Sequence, residues 1–136
     1  MNSPNSLDSV PSWVPDTGHA LRHVGVHFDA VRIPGVIGED VAYRLMEFTD
    51  FLAGPIVREA TRERNLYFLL PPRTAGAHAW PAPARALGRD GRSAAFVGIP
   101  AVNGLTWPLG WRSLPTEENP FVEPDLLYET LVRALN

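Results

Sequence analysis

One continuous apolar block interrupts the alternation of apolar and polar residues along the chain: Leu66-Tyr67-Phe68-Leu69-Leu70. Charge precedes it at Arg62, Glu63 and Arg64, Asn65 opens it, and Pro71-Pro72 closes it. A run this short, closed by proline, predicts a strand buried on both faces and therefore the middle of a sheet. Tyr67 and Phe68 then point to opposite sides, because side chains alternate along a strand.

The rest of the pattern is arranged around that strand. Val24 to Ile33 alternates, which predicts a first strand with Val24, Val26, Phe28 and Ala30 on one face and His27, Asp29, Val31 and Ile33 on the other. After Pro34-Gly35, the residues Gly38, Glu39 and Asp40 open a helix whose apolar positions Val41, Leu45, Phe48 and Leu52 recur at helical spacing until Gly54-Pro55. Ile56-Val57 begins a short strand. The charged segment 58–64 turns it back into the apolar block as an antiparallel hairpin.

Residues 73–92 read as a long surface loop with a helical turn at Ala82 to Leu87. Ser93 to Ile99 is a further short apolar strand, and Gly104 to Trp107 is expected as an edge strand closed by Pro108, with Trp111 capping the core. Glu123-Pro124-Asp125 starts a last helix, with Leu127, Leu131, Ala134 and Leu135 as its apolar stripe and Arg133 near its end. Neighbouring strands on short links point to the α+β class: a mainly antiparallel or mixed central sheet of about five short strands with two helices packed on it. Residues 1–23, polar and rich in proline, are expected as a flexible N-terminal arm that docks through Trp13, and residues 24–136 as a single globular domain.

Composition narrows the chemistry. The 136 residues are 45% hydrophobic, enough for one domain with its own core, and contain no cysteine, which excludes disulfides, a thiolate nucleophile and cysteine-based metal sites. All twelve basic residues are arginine, so no lysine is present for a Schiff base, a pyridoxal cofactor or a phosphate loop. The net charge of −3 disfavours nonspecific binding to nucleic acid. No apolar run approaches the length of a membrane span and no signal segment opens the chain, so a cytoplasmic protein without membrane contact is expected.

Four constellations are candidates for function, each with a simpler structural reading beside it. His19, His23 and His27 are spaced by four, which on a helix would align three imidazoles for a metal; the strand pattern around His27 argues against that helix, so no metal site and no cofactor is expected. His27 and Asp29 share a predicted strand face and could act as an acid–base pair or as two ligands of a divalent ion, or simply be solvated at a strand end. Arg85, Arg89 and Arg92, set among Gly88 and Gly91, could hold a phosphate, or be a solvated loop. Trp80, Trp107 and Trp111 could form an aromatic surface, or fill the core.

From Val26 to about Leu131 the order of motifs resembles the primase-polymerase-like domain proteins of actinobacteria, the bifunctional DNA primase/polymerase N-terminal domains. The matching stretches are VHFDAVRIPG at 26–35, the Gly-Pro-Ile of 54–56, RNLYFLLPP at 64–72, GRDGRSAAFVGIP at 88–100, and a tryptophan-bearing strand before a final helix. The resemblance implies two metal-binding carboxylates on the first strand, a histidine at the start of the aromatic strand and a third carboxylate before the glycine-rich turn. In this chain Asp29 matches the first carboxylate, Val31 stands at the second, Asn65 replaces the histidine and Ala86 lies at the third. Holding two cations for phosphoryl transfer requires anionic oxygens that are no longer there.

The resulting expectation is a non-catalytic, degenerate member of that fold that acts by binding a small ligand or a protein partner. Asn65, Tyr67, Arg85, Arg89, Arg92 and Trp107 are its candidate binding residues. The alternatives are a small enzyme that uses Asp29 and His27, and a nucleotide binder built on the arginine loop.

Overall fold

A computed structural model describes residues 10–88 and 95–136. Its architecture is α+β. Five antiparallel strands form the central sheet: β2 (Asp29–Ile33), β3 (Ile56–Glu59), β4 (Leu66–Leu70), β5 (Arg85–Leu87) and β7 (Leu109–Ser113), in the order β5-β2-β4-β3-β7. A second, two-stranded sheet pairs β1 (His19–His23) with β6 (Phe96–Pro100). Among the described residues the other elements are the helices α1 (Gly35–Phe48) and α2 (Pro124–Leu135) and a 3-10 turn at Ala75–Ala77.

The apolar block is the central strand, β4, hydrogen-bonded to β2 on one side and β3 on the other. Its alternation divides the core in two. Leu66, Phe68 and Leu70 face the helices together with Val31, Ile33, Ile56, Val41, Leu45, Leu127 and Leu131. Leu69, with half-buried Tyr67, faces the β1–β6 ribbon together with Ala30, Val57, Phe28, Val97 and Ile99. A strand covered on both sides needs apolar residues at every position, which is why this stretch shows no alternation.

Helix α1 lies close to the sheet because Gly38 allows it: a Cβ there would meet the Ile33 carbonyl oxygen at 2.8 Å and Leu66 at 3.3 Å. Helix α2 is started by the Glu123 carboxylate, which accepts hydrogen bonds from the Asp125 and Leu126 N–H groups, with Pro124 in the first turn. The clamp between Glu39 of α1 and the guanidinium groups of Arg58 (3.0 Å) on β3 and Arg112 (2.8 Å) on β7 ties the first helix to the far half of the sheet.

Several expectations are corrected. The first strand does not begin at Val24: residues 24–28 form a turn in which the Gly25 N–H donates to the Phe28 carbonyl, and the strand starts at Asp29. The arm boundary at residue 23 also moves, because β1 is part of the fold and Trp13 is buried, its ring edge-on to Phe28 at 5.1 Å. Helix α1 stops at Phe48, leaving Phe48 and Leu52 exposed where a core stripe was expected. Ala82 to Leu87 contains strand β5 in place of a helical turn, and the edge strand placed at Gly104–Trp107 is found at Leu109–Ser113.

Candidate functional site

The residues singled out in the sequence divide between two ends and two faces of the central sheet. Asp29 opens β2 opposite Leu70 and shares the helix-facing side with Val31 and Ile33. Its carboxylate is buried, and one oxygen accepts hydrogen bonds from the N–H groups of Thr74 (3.1 Å) and Ala75 (3.0 Å), at the start of the 3-10 turn. The other oxygen has no partner among the described residues. Asp29 thus holds the loop after β4 in place, as a carboxylate does at the start of a helical turn.

His27 is exposed in the turn before β2, outside the strand, so the shared face on which an acid–base pair was expected does not form. His19 and His23 sit at the two ends of β1, and the His23 ring stacks on Phe96 at 4.9 Å. Among the described residues no group of three potential metal ligands converges. Residues 89–94, with Arg89 and Arg92, lie outside the described residues.

Asn65 belongs to the other end and the other face. It precedes Leu66, which pairs with Ile33, and it shares a side with Tyr67 and Leu69. Its side chain is buried, its Nδ2 donates to the Glu59 carboxylate at 3.5 Å, and its Oδ1 has no partner among the described residues.

The sheet brings Asn65, Tyr67 and Arg85 together, and adds two residues that sequence reasoning missed, Arg32 and Glu59. Arg32 lies directly opposite Tyr67 on β4 and directly opposite Arg85 on β5. Directly opposed residues of an antiparallel pair project from the same face, so Arg85, Arg32 and Tyr67 form a row across three strands, with Asn65 and Glu59 one step along. Burial pushes the Tyr67 hydroxyl above its ordinary pKa, as does the Glu59 carboxylate, while Arg32 and Asn65 pull it back. Trp107, the remaining candidate, is exposed in the loop before β7, whose Pro108 carbonyl accepts the Ala60 N–H at 2.7 Å. Arg32 was hidden in the sequence because it reads as the polar position of an alternating strand; only the pairing with β5 gives it a second guanidinium as neighbour.

A second cluster joins the loop after β4 to α2. The His78 ring stacks on Tyr128 at 4.3 Å and its Nε2 lies 2.7 Å from the Asp125 carboxylate, while Trp80 packs edge-on to both rings and donates its N–H to the Ala75 carbonyl. Trp80 therefore serves packing, and the His78–Asp125 contact docks the loop.

No family model, curated protein or solved structure matches the chain. Among the described residues, no helix is long and apolar enough to cross a membrane.

Proposed function

We propose that this protein is a non-catalytic binding module, a degenerate relative of the primase-polymerase-like proteins, that takes a small oxyanion such as a phosphate or carboxylate on the Arg85–Arg32–Tyr67 row. The observation that carries this reading is the register of β2 and β5, which sets two arginines directly opposite each other on one face. Like charges directly opposite on neighbouring strands are destabilising by a few tenths to about 1 kcal/mol. Among the described residues neither arginine has an ion-pair partner. An oxyanion between them would turn that repulsion into two charge-assisted hydrogen bonds, with the Tyr67 hydroxyl as a further donor.

The non-catalytic part of the reading is supported by Asp29. Its carboxylate is engaged with the backbone of Thr74 and Ala75, and it is about 17 Å along the strand from Asn65, at five residues of 3.4 Å each, and on the opposite face. Asn65, at the place of the resemblance's histidine, therefore lies apart from Asp29, and Val31 and Ala86, which stand beside Asp29 at the places of the other two carboxylates, carry no oxygen to hold a cation. A cysteine-free chain suits the reducing cytoplasm, where we place its action.

Calorimetric titration with inorganic phosphate tests the reading. Binding should weaken as salt rises, and Arg32→Gln or Arg85→Gln should each weaken it roughly tenfold. No heat of binding at millimolar phosphate would sink the oxyanion site. Nucleotide incorporation dependent on Mg²⁺ or Mn²⁺, lost in Asp29→Ala, would sink the non-catalytic reading.

A further inference from the structure

A groove of about 990 Å³ runs between the start of α1 and the β3–β4 hairpin, on the other side of the hairpin from Asn65 and Tyr67. Pro34, Val36 and Ile37 form one wall; Ala60, Arg62, Glu63 and Arg64 form the other. Val36 is 88% exposed, an apolar side chain that nothing in the chain covers among the described residues.

The two walls are held against each other. The Gly35 N–H donates to the Glu63 carbonyl at 3.4 Å, and a Cβ at Gly35 would come within 3.1 Å of that oxygen and 3.3 Å of the Arg64 carbonyl. The hairpin is tied on its other flank by the Ala60 N–H bond to Pro108, and its tip is closed by the Arg64 N–H bond to Thr61. A groove with fixed walls requires little ordering when a ligand enters.

Its charge is net positive, with Arg58, Arg62 and Arg64 against Glu39 and Glu63. Glu39, at one end, is already shared between Arg58 and Arg112, which leaves Glu63 as the only other carboxylate in the lining, against Arg62 and Arg64. Both of these arginines have left-handed backbone, with φ of 58° and 55°. Arginine has no preference for that conformation and glycine adopts it without strain. A glycine at either position would therefore relieve backbone strain and not add to it.

We infer that this groove binds a soluble amphipathic anion, with its carboxylate or phosphate head on Arg62 and Arg64 and its aliphatic or aromatic body along Pro34, Val36 and Ile37. This site is separate from the Arg85–Arg32–Tyr67 row and does not depend on it.

The test uses decanoate and decyl phosphate below their micelle concentrations, with decanol and inorganic phosphate as the head-free and body-free controls, read by calorimetry and melting temperature. Both amphiphiles should bind the full-length protein, each more tightly than its control. The double variant Arg62→Gly, Arg64→Gly should weaken both about tenfold or more, while the melting temperature of the free protein stays the same or rises. Val36→Glu should also weaken both; every titration is made in the Arg32→Gln background as well, where the arginine row is weakened, and the preference for the amphiphiles over their controls should persist there.

No binding of either amphiphile at millimolar concentration would overturn the inference, as would equal binding of decanol and decanoate, or equal binding of inorganic and decyl phosphate. Retained affinity in the glycine double variant, or loss of the preference for the amphiphiles over their controls in the Arg32→Gln background, would place the ligand elsewhere. Co-sedimentation with phosphatidylglycerol vesicles would overturn the assignment to a soluble ligand.

Discussion

Arg32 and Arg85 stand directly opposite each other on neighbouring strands, two guanidinium groups on one face of the sheet. The pair is formed by strands whose sequences lie far apart, and its neighbour Tyr67 comes from a third. On the far side of the same sheet, Asp29 is spent on the backbone of a loop. The helix side also holds the ion pairs of Glu39 with Arg58 and Arg112, whereas Arg32 and Arg85 have no ion-pair partner among the described residues.

Asp29 should behave as a structural residue. Asp29→Ala removes the acceptor of the Thr74 and Ala75 N–H groups, the second of them buried, and should lower stability by roughly 1.5–3 kcal/mol, as for hydrogen bonds to a charged group. Urea denaturation measures this, and Asp29→Asn, which keeps one acceptor oxygen, should lose less. An unchanged midpoint in Asp29→Ala would contradict the role assigned to it.

Phe68 is fully buried in the centre of the helix-side core. Phe68→Ala should destabilise by about 3–5 kcal/mol through lost burial and the cavity left behind. The chevron or equilibrium midpoint shows it directly; a loss under 1 kcal/mol would mean that the site collapses or that the strand is not central.

Glu39 makes the stability depend on acid. Its partial burial raises its pKa, but the hydrogen bonds and charges of Arg112 and Arg58 more than offset that and hold it below the ordinary value of 4.5. A depressed carboxyl pKa contributes stability that is present above the unfolded-state value and lost as pH falls through the folded-state one. The stability difference between the wild type and Glu39→Gln should thus be largest near neutral pH and shrink as pH is lowered below 4.5. Added salt should shrink it too, since the groups are partly exposed.

Tyr67 works in the opposite direction. Burial and Glu59 raise its pKa above 10.0, so its contribution is complete below that pH and is lost as pH rises through the folded-state value. Ultraviolet titration of the tyrosines should show a component ionising above pH 10, absent in Tyr67→Phe. Occupation of the arginine row by phosphate should move that component higher still, because a bound anion opposes the phenolate. A wild-type curve identical to that of Tyr67→Phe, after scaling for one tyrosine, would contradict the burial of this hydroxyl.

Much of the architecture could be read along the chain because it depends on local signals. The unbroken apolarity of Leu66–Leu70 marks a strand covered on both faces, and it is the central strand. The acidic start, early proline and apolar stripe of α2 were legible, as was the hairpin that joins β3 to β4. These features arise from residues a few positions apart, whose spacing reports directly on which side is buried.

What the sequence could not carry is pairing between distant segments. His19–His23 shows no alternation and becomes a strand only because β6 lies beside it. Arg85–Leu87 is a strand because β2 supplies its hydrogen bonds, and the buried side of α1 stops at Leu45, leaving Phe48 and Leu52 exposed. The same holds for the candidate sites. The chain by itself determined the fold class, the central strand and the exclusion of lysine- and cysteine-based chemistry. Only the tertiary structure decided that Asp29 and Asn65 lie apart while Arg32, Arg85 and Tyr67 lie together, because strand register and face are set by which segments pair, not by how far apart they are in sequence.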